Sequence, residues 1–259
     1  MGKKIVFCNC GGQNIGVERT KGLDSLLQNT DAEVIKISDL CGLSVSDNDA
    51  IVQIFSSIDE ILLVACYPRT INLILQNAGI QPDKTRFQLL NTRELIDVSI
   101  FNEIESFCNE STDEHSYSEI KSEEKWPSWY PIIDKDRCSN CGQCANFCLF
   151  GVYEIKEGKI NVINPKGCKN NCPACARICP QTAIIFPKYQ QGGAIGGSDL
   201  IDELAEQQRQ VQDISTILGS DIYAALEQRK VKRQSIINTE AMKRALVERE
   251  KAIEEGENK

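Results

Sequence analysis

The chain has 259 residues, of which 41% are hydrophobic and 25% are charged, and its formal net charge at pH 7 is -8. A chain of this length and composition can bury the cores of two modest globular domains. The acidic balance argues against nucleic-acid binding, which needs clustered lysine and arginine side chains. No apolar run approaches the roughly 20 residues of a transmembrane helix, so we expect no membrane insertion.

Residues 1–108 alternate short β-branched runs with segments of helical pattern. The runs that predict strands are KIVFC, EVIKIS, EILLVAC and RFQLL. Helices are predicted at residues 16–28, 47–57 and 68–78, and Pro68 suits the first turn of the last one. This alternation is typical of βαβ units and predicts an α/β domain with a parallel sheet.

A second unit is expected after an acidic linker. Residues 109–125 are polar and poor in apolar side chains, which is typical of a linker. The following residues, 126–189, contain eight of the 13 cysteines. The glycine-rich stretch 190–197, QQGGAIGG, lacks the preceding strand that a nucleotide-binding loop needs, and we interpret it as a hinge.

The remaining residues, 198–259, are rich in charge and predict a helical tail. One amphipathic helix would begin at a Ser198-Asp199 cap, and its apolar face would consist of Leu200, Leu204, Val211, Ile214 and Leu218. A second helix is predicted at residues 221–255. Two interpretations of the tail remain open: it folds back on its own chain, or it docks a partner or a second copy.

Cysteine is the most informative residue type, because there are 13 cysteines and a single histidine, His115. The first residues, MGKKIVFCNC, lack the apolar core of a secretory signal, so we expect the protein in the cytoplasm, where thiols stay reduced. An odd number of cysteines in that compartment does not form a disulfide framework. Metal binding is therefore the leading explanation, and the single histidine argues against Cys/His zinc sites.

Two cysteine runs in the second unit have the spacing of iron-sulfur ligands. They are CSNCGQCANFC, residues 138–148, and CKNNCPACARICP, residues 168–180. In two-cluster ferredoxins three closely spaced cysteines supply three corners of a four-iron cluster, and the fourth cysteine of each run crosses to the other cluster. We therefore predict two [4Fe-4S] clusters, the first held by Cys138, Cys141, Cys144 and Cys179 and the second by Cys168, Cys172, Cys175 and Cys148.

Two other metal sites fit this spacing less well. Structural zinc takes paired ligands from two separated knuckles, whereas here three or four cysteines lie within about ten residues. The spacing of Cys168, Cys172 and Cys175 also matches that of radical enzymes that cleave S-adenosylmethionine. Only about 80 residues follow Cys179, however, and these are too few for the barrel of such an enzyme.

Residues 126–187 resemble a bacterial-type two-cluster ferredoxin, because both cysteine runs and the Cys179-Pro180 pair match its signature. The resemblance implies an α+β ferredoxin-like fold for this unit. The sequence departs from the family at Leu149, where a proline is usual, and at the extra residue between Cys168 and Cys172.

Four of the five remaining cysteines lie at the ends of predicted strands. Cys8 and Cys10 end the first strand, Cys41 follows the second, and Cys66 ends the third. Ligands of open parallel sheets collect at the carboxyl ends of the strands, so these thiols can converge. Their spacing leaves a third cluster, a redox dithiol and buried filler open, while Cys108 is expected to be a small buried residue.

Several motifs of the first unit resemble the N-terminal domain of the heterodisulfide reductase A family, over about residues 4–97. They are CNCGGQNIG, DLCG, VACYPRTINLILQNAGI and FQLLNTREL. The resemblance implies a third [4Fe-4S] cluster, held by Cys8, Cys10, Cys41 and Cys66.

The first unit also departs from that family. Gln13 is inserted after the glycine pair, Tyr67 replaces a small residue, and no cysteine follows the NTRE motif. The Gly-rich dinucleotide fingerprint of the family's flavin region is absent, so we expect no flavin on this chain. Arg69 and Arg93 are candidates for hydrogen bonds to the sulfurs of the N-terminal cluster, and the alternative is that they are surface arginines.

Taken together, these patterns favour an electron-transfer component that relays single electrons to or from a partner oxidoreductase, rather than a self-sufficient enzyme. One alternative is a thiol/disulfide oxidoreductase that uses Cys8 and Cys10. Another is an iron-sulfur scaffold or assembly protein. The resemblance to heterodisulfide reductase suggests thiol, hydrogen or one-carbon metabolism in an anaerobe.

Overall fold

The protein is described from a computed structural model that covers residues 2–13, 15–56, 59–81, 86–109, 115–121 and 126–218, with isolated positions up to residue 248. The chain divides into two compact units, Met1–Lys125 and Trp126–Lys259. The first unit is α/β, and the second contains small antiparallel sheets and short helices.

A five-stranded parallel sheet forms the centre of the first unit. Its strands, in chain order, are β1 Lys3–Cys8, β2 Glu33–Ile37, β3 Glu60–Ala65, β4 Phe87–Asn91 and β5 Ser116–Ile120. Their spatial order is β4-β3-β1-β2-β5, and every neighbouring pair is parallel. The four strands predicted from the sequence are present, and β1 occupies the centre of the sheet.

The fifth strand corrects the linker that composition predicts at residues 109–125. Strand β5 lies within this segment and pairs with β2 from Ser116 opposite Glu33 to Ile120 opposite Ile37. Its side chains are mostly exposed, so the segment has no apolar pattern to reveal a strand. The strand forms because the backbone groups at the outer edge of β2 need hydrogen-bond partners.

In the described part of the first unit, five helices accompany this sheet. They are α1 Val17–Leu27, α2 Leu40–Ser46, α3 Asn48–Phe55, α4 Pro68–Asn77 and α5 Asp97–Asn109. The three helices predicted at residues 16–28, 47–57 and 68–78 correspond to α1, α3 and α4. The sequence pattern does not predict the short α2, which begins where the Asp39 carboxylate accepts a hydrogen bond from the Cys41 backbone N–H at 3.2 Å.

One side of the sheet packs on α1 and α5. Alternate strand residues such as Ile5 and Phe7 meet Leu27 of α1 and Ile104 of α5, and all four side chains are fully buried. The intervening residue Val6 is equally buried, so β1 is covered on both faces. This two-sided burial is typical of a parallel sheet with crossover helices.

The second unit is built from very short elements. Two antiparallel pairs organise it, namely β6 Ile132–Ile133 with β9 Ile184–Ile185, and β7 Tyr153–Lys156 with β8 Lys159–Val162. The helices α6 Gln143–Phe147 and α7 Ala174–Arg177 follow the first two cysteines of the two cysteine runs. Its small core includes Phe186, whose ring stacks on Trp129 with the centroids 5.0 Å apart.

The glycine-rich stretch 190–197, predicted as a hinge, is a packed turn in the structure. It contains α8, Gly193–Gly196, and the side chains of Ala194 and Ile195 are buried. The Ile195 carbonyl accepts a hydrogen bond from the Phe186 N–H at 2.7 Å. The glycines are needed because Gly192 and Gly193 both have left-handed backbone angles, φ 66° and 61°.

The tail helix differs from its prediction in its start and in the face that packs. Helix α9 spans Glu203–Leu218, and Asp202 rather than Ser198-Asp199 caps it by accepting hydrogen bonds from two backbone N–H groups. Leu200, Leu204 and Val211 of the predicted apolar face are 82%, 73% and 69% exposed, and the side chains of Ile214 and Leu218 lie outside the described residues. Gln210 is buried instead and donates to the Thr182 hydroxyl at 3.2 Å.

The second tail helix, predicted at residues 221–255, lies outside the described residues apart from isolated positions. Over the described ranges, no helix has the length and apolar character needed to cross a membrane.

The packing of the core in the first unit can be tested by comparing the substitution of a buried isoleucine with that of an exposed one. Ile104→Ala removes a side chain with no solvent exposure and should cost about 2–5 kcal/mol of stability. Hydrogen-exchange mass spectrometry should show faster exchange in peptides from residues 3–109 and unchanged exchange in residues 126–218. Ile96→Ala, at a site that is 69% exposed, is the control, and an equal effect there would contradict this packing.

Candidate metal centres

A first cavity in the second unit is lined by four cysteines. They are Cys138, Cys141, Cys144 and Cys179, and three isoleucines, Ile133, Ile160 and Ile184, supply much of the remaining wall. The loop before α6 turns through left-handed backbone at Asn140 and Gly142, φ 55° and 80°, and so folds the first three cysteines around one centre. We call this cavity the first pocket.

The thiols of the first pocket oppose one another's ionisation. Burial, the nearby Cys179 and then Cys138 and Cys141 raise the pKa of Cys144 to about 12. Burial also raises the pKa of Cys179, although the backbone N–H of Ala183, 3.4 Å from its Sγ, acts in the opposite direction. Four thiolates can coexist here only if a positively charged group lies among them.

A second cavity is lined by the other four cysteines of the unit. They are Cys148, Cys168, Cys172 and Cys175, and Phe147, Phe150 and Val152 supply apolar wall. The extra residue between Cys168 and Cys172 is accommodated by a turn in which the Cys172 N–H donates to the Lys169 carbonyl at 3.2 Å, and Asn171 adopts φ 57°. We call this cavity the second pocket.

Tyr153 is a polar side chain that reaches a sulfur of the second pocket. Its Oη lies 3.0 Å from Cys175 Sγ, and both residues are buried. Burial raises the pKa of Cys175 well above its ordinary value, while the tyrosine hydrogen bond lowers it in part. Burial, followed by the thiols Cys175 and Cys144, raises the pKa of the Tyr153 hydroxyl. No sequence pattern points to this residue, because it lies outside both cysteine runs.

The last cysteine of each run lines the pocket of the other run. Helix α6 ends at Phe147, and Cys148 leaves it with extended backbone angles, φ -70° and ψ 122°, so its side chain lines the second pocket. Cys179 follows α7 and lines the first pocket. Each cavity is therefore surrounded by three cysteines of one run and one of the other.

These donor sets fit four-iron clusters. Each pocket presents four cysteine sulfurs in a largely apolar wall, which is the ligand set of a [4Fe-4S] cluster. No three histidine, cysteine, aspartate or glutamate side chains in the described part of the chain are arranged to hold a single metal ion.

The structure brings the ends of β1, β2 and β3 side by side in the first unit, and four cysteines lie at or just beyond these ends. Cys8 is the last residue of β1, Cys10 begins a 3-10 turn, Cys41 lies in α2 and Cys66 follows β3. Each of the four is at most 4% exposed. We call this group the sheet-edge cysteines.

Cys8 has the most closely described contacts of the sheet-edge cysteines. Its Sγ lies 4.0 Å from that of Cys10 and 3.5 Å from the backbone N of Leu40, which approaches from the end of β2. The Gly11 N–H donates to the Ser38 carbonyl at 2.7 Å and ties the cysteine loop to the same end. The hydrogen bond with Cys10, together with burial, raises the pKa of Cys8 well above its ordinary value.

The two candidate arginines occupy different positions. Arg69 lies in the first turn of α4 and is 8% exposed, so its interpretation as a surface residue is wrong. Arg93 follows β4, is half-buried, and places its guanidinium 5.1 Å from the centre of the Tyr67 ring. Both arginines flank the turn that contains Cys66. Arg69 lies in α4, which begins two residues after this cysteine, and Arg93 contacts Tyr67, which directly follows it.

Comparisons with known proteins agree with the geometry of the second unit. The 4Fe-4S dicluster domain family matches residues 130–213. An uncharacterized ferredoxin of Methanocaldococcus jannaschii is 47% identical over 72 residues, which are 27% of this chain and 49% of that protein. Ferredoxin-3 of Nostoc sp. is 34% identical over 73 residues, 21% of this chain and 74% of that protein.

A third relative is named as part of a larger enzyme. Pyruvate synthase subunit PorD of Methanothermobacter marburgensis is 39% identical over 59 residues, 23% of this chain and 67% of that protein. The chain thus spans about half the length of the Methanocaldococcus relative and more of the other two. No solved structure matches the chain. Through residues 130–213, the chain belongs to the ferredoxin family that carries a 4Fe-4S dicluster domain.

Proposed function

We propose that this protein is an electron-transfer component of an oxidoreductase complex, and that Cys138, Cys141, Cys144 and Cys179 hold one [4Fe-4S] cluster while Cys148, Cys168, Cys172 and Cys175 hold the other. The observation that carries the proposal is the presence of two apolar pockets, each with four cysteines. The relation to a component of pyruvate synthase supports a redox partner. We place this function in the cytoplasm, where cysteines stay reduced.

The cysteines, the apolar walls and the hydrogen bonds of a pocket would contribute differently to electron transfer. The cysteines fix the position of the group, and the apolar walls keep water away and lower the local dielectric constant. Hydrogen bonds to sulfur, such as that from Ala183 to Cys179, stabilise negative charge. When bound, a four-iron cluster accepts and releases single electrons.

We further propose a third [4Fe-4S] cluster at the sheet-edge cysteines. The support is their common burial at the carboxyl ends of three adjacent strands, together with the resemblance to the heterodisulfide reductase A family. Arg69 and Arg93 would then contribute positive charge near the turn after β3. The proposal includes no flavin site on this chain.

The contacts of Cys8 and Cys10 favour a cluster over a redox dithiol. An attacking thiol must be accessible and ionised, whereas both side chains are 2% exposed and the pKa of Cys8 is raised. A buried pair of this kind is better explained by a metal group that supplies the missing positive charge.

The division of the cysteines between the pockets can be tested by double substitutions. Iron content of anaerobically purified protein should be measured for Cys138→Ala, Cys168→Ala and Cys179→Ala, alone and combined. Because Cys138 and Cys179 share the first pocket, their double variant should lose no more iron than the more severe single variant. The Cys168 and Cys179 double variant should lose the sum of the two single losses.

The same experiment can also contradict this assignment of the cysteines to the two pockets. If each run held a cluster by itself, Cys168 and Cys179 would serve one cluster, and their losses would not add. The losses of Cys138 and Cys179 would then be additive.

The third cluster predicts a change in iron content on replacement of the cysteine pair. Wild-type protein should contain about twelve irons and as many acid-labile sulfides, and a Cys8→Ser, Cys10→Ser variant about eight. Cys108→Ser is the matched control, because this cysteine belongs to the same unit but packs beside the helical core. It should keep about twelve irons, and about eight irons in all three proteins would refute the third cluster.

Reversible redox chemistry distinguishes electron transfer from a scaffold. The visible absorbance of the clusters should bleach with dithionite and recover on reoxidation, without loss of iron, over repeated cycles. Clusters that cannot be reduced, or that lose iron on the first cycle, would favour the scaffold or assembly role.

A further inference from the structure

Tyr153 is the only buried residue of β7. Its side chain is 3% exposed, whereas the next three residues of the strand are exposed. The chain enters the strand through Gly151, at φ 64°, and through the buried Val152, whose carbonyl accepts hydrogen bonds from the N–H groups of Ile163 and Asn164. These contacts fix the backbone on both sides of the hairpin, so the ring has a defined position against the second pocket.

The hydroxyl of this ring is directed at a cluster ligand. Oη lies 3.0 Å from the Sγ of Cys175, a short distance for a bond to sulfur, and the sulfur is buried. A tyrosine hydroxyl ordinarily has a pKa of about 10, so it keeps its proton and acts as the donor.

We propose that Tyr153 is a positioning residue that raises the reduction potential of the cluster in the second pocket by donating a hydrogen bond to Cys175. This inference rests on the proposed assignment of Cys175 as a ligand. The tyrosine makes no bond to iron and acts only through the sulfur.

The negative charge that the cluster gains on reduction determines the direction in which the hydrogen bond shifts its reduction potential. Reduction adds one electron, supplied by an external one-electron donor, and part of the added negative charge resides on the cysteine sulfurs. A hydrogen bond to sulfur is stronger when that atom is more negative, so the donor favours the reduced state. The proton stays on Oη throughout, and the electron is the only particle that the site gains.

The two pockets differ in this respect. Among the described residues that line the first pocket there is no tyrosine. The hydrogen bonds to sulfur there come from the backbone, from Ala183 and Gln181 to Cys179 and from Ala145 to Cys144. The hydroxyl of Tyr153 lies closer to the Cys175 sulfur than the Ala183 nitrogen lies to the Cys179 sulfur. Tyr153 is therefore a side-chain donor specific to the second pocket, and a substitution can remove it without changing the backbone donors.

The test is an anaerobic potentiometric titration of the full chain, followed by electron paramagnetic resonance at fixed pH. In Tyr153→Phe, the equilibrium constant for reduction of one cluster should fall about tenfold, which is about 59 mV for a one-electron couple. The other cluster should keep its potential, and the iron content should match that of the wild type. Tyr130→Phe is the control, because Tyr130 is also buried in this unit but lines neither pocket, and it should shift neither potential.

Two results would overturn the inference. One is an unchanged pair of potentials in Tyr153→Phe, and the other is an equal shift of both clusters or the same shift in Tyr130→Phe. If the iron content of Tyr153→Phe falls, 3-fluorotyrosine at position 153 decides, because fluorine makes the hydroxyl a stronger donor and should raise the same potential. An unchanged or lower potential would then overturn the inference.

Iron content separates this inference from the function on which it rests. Wild-type protein with fewer than about eight irons would overturn both. About eight or more irons without the expected shift would overturn the role of Tyr153 alone.

Discussion

Mutual repulsion among four closely placed thiolates, two of them buried in each pocket, is the constraint on which the second unit depends. In each pocket, burial and neighbouring sulfurs both raise the pKa of a cysteine, as Cys144 and Cys175 show. The surrounding elements are short, because strands β6 and β9 contain two residues each and α7 contains four. A bound metal-sulfide group supplies the missing attraction, and the folding of this unit is then coupled to its loading.

The first unit differs from the second because its core is apolar and is separate from its cysteines. Its five strands and the helices α1 and α5 bury a continuous apolar core that contains no metal ligand. The sheet-edge cysteines lie beyond this core, where the parallel strands end. A group bound there adds to a scaffold that is already stable, so its loss should be local. Under the proposed function, the second unit depends on its bound clusters, whereas the first unit is built around an apolar core.

The sequence is most informative where a pattern repeats. Alternating β-branched runs predict β1 to β4, and cysteine spacing predicts the same two sets of four that line the pockets. The pattern is silent on β5, whose side chains are mostly exposed, and on Tyr153, whose role depends on a contact across 22 residues of sequence. Periodicity predicts an apolar row on α9, but Leu204 and Val211 of that row are exposed, whereas Gln210 is buried and hydrogen-bonded.

The edge position of β5 also determines how the chain can be divided. The strand comes from the last part of the first unit, yet it covers the outer edge of β2 through pairings from Ser116 to Ile120. A fragment that stops at residue 108 would leave the backbone groups of β2 open to pairing with another copy. The smallest self-contained N-terminal fragment therefore extends past residue 120, although composition alone predicts that residues 109–125 are a linker.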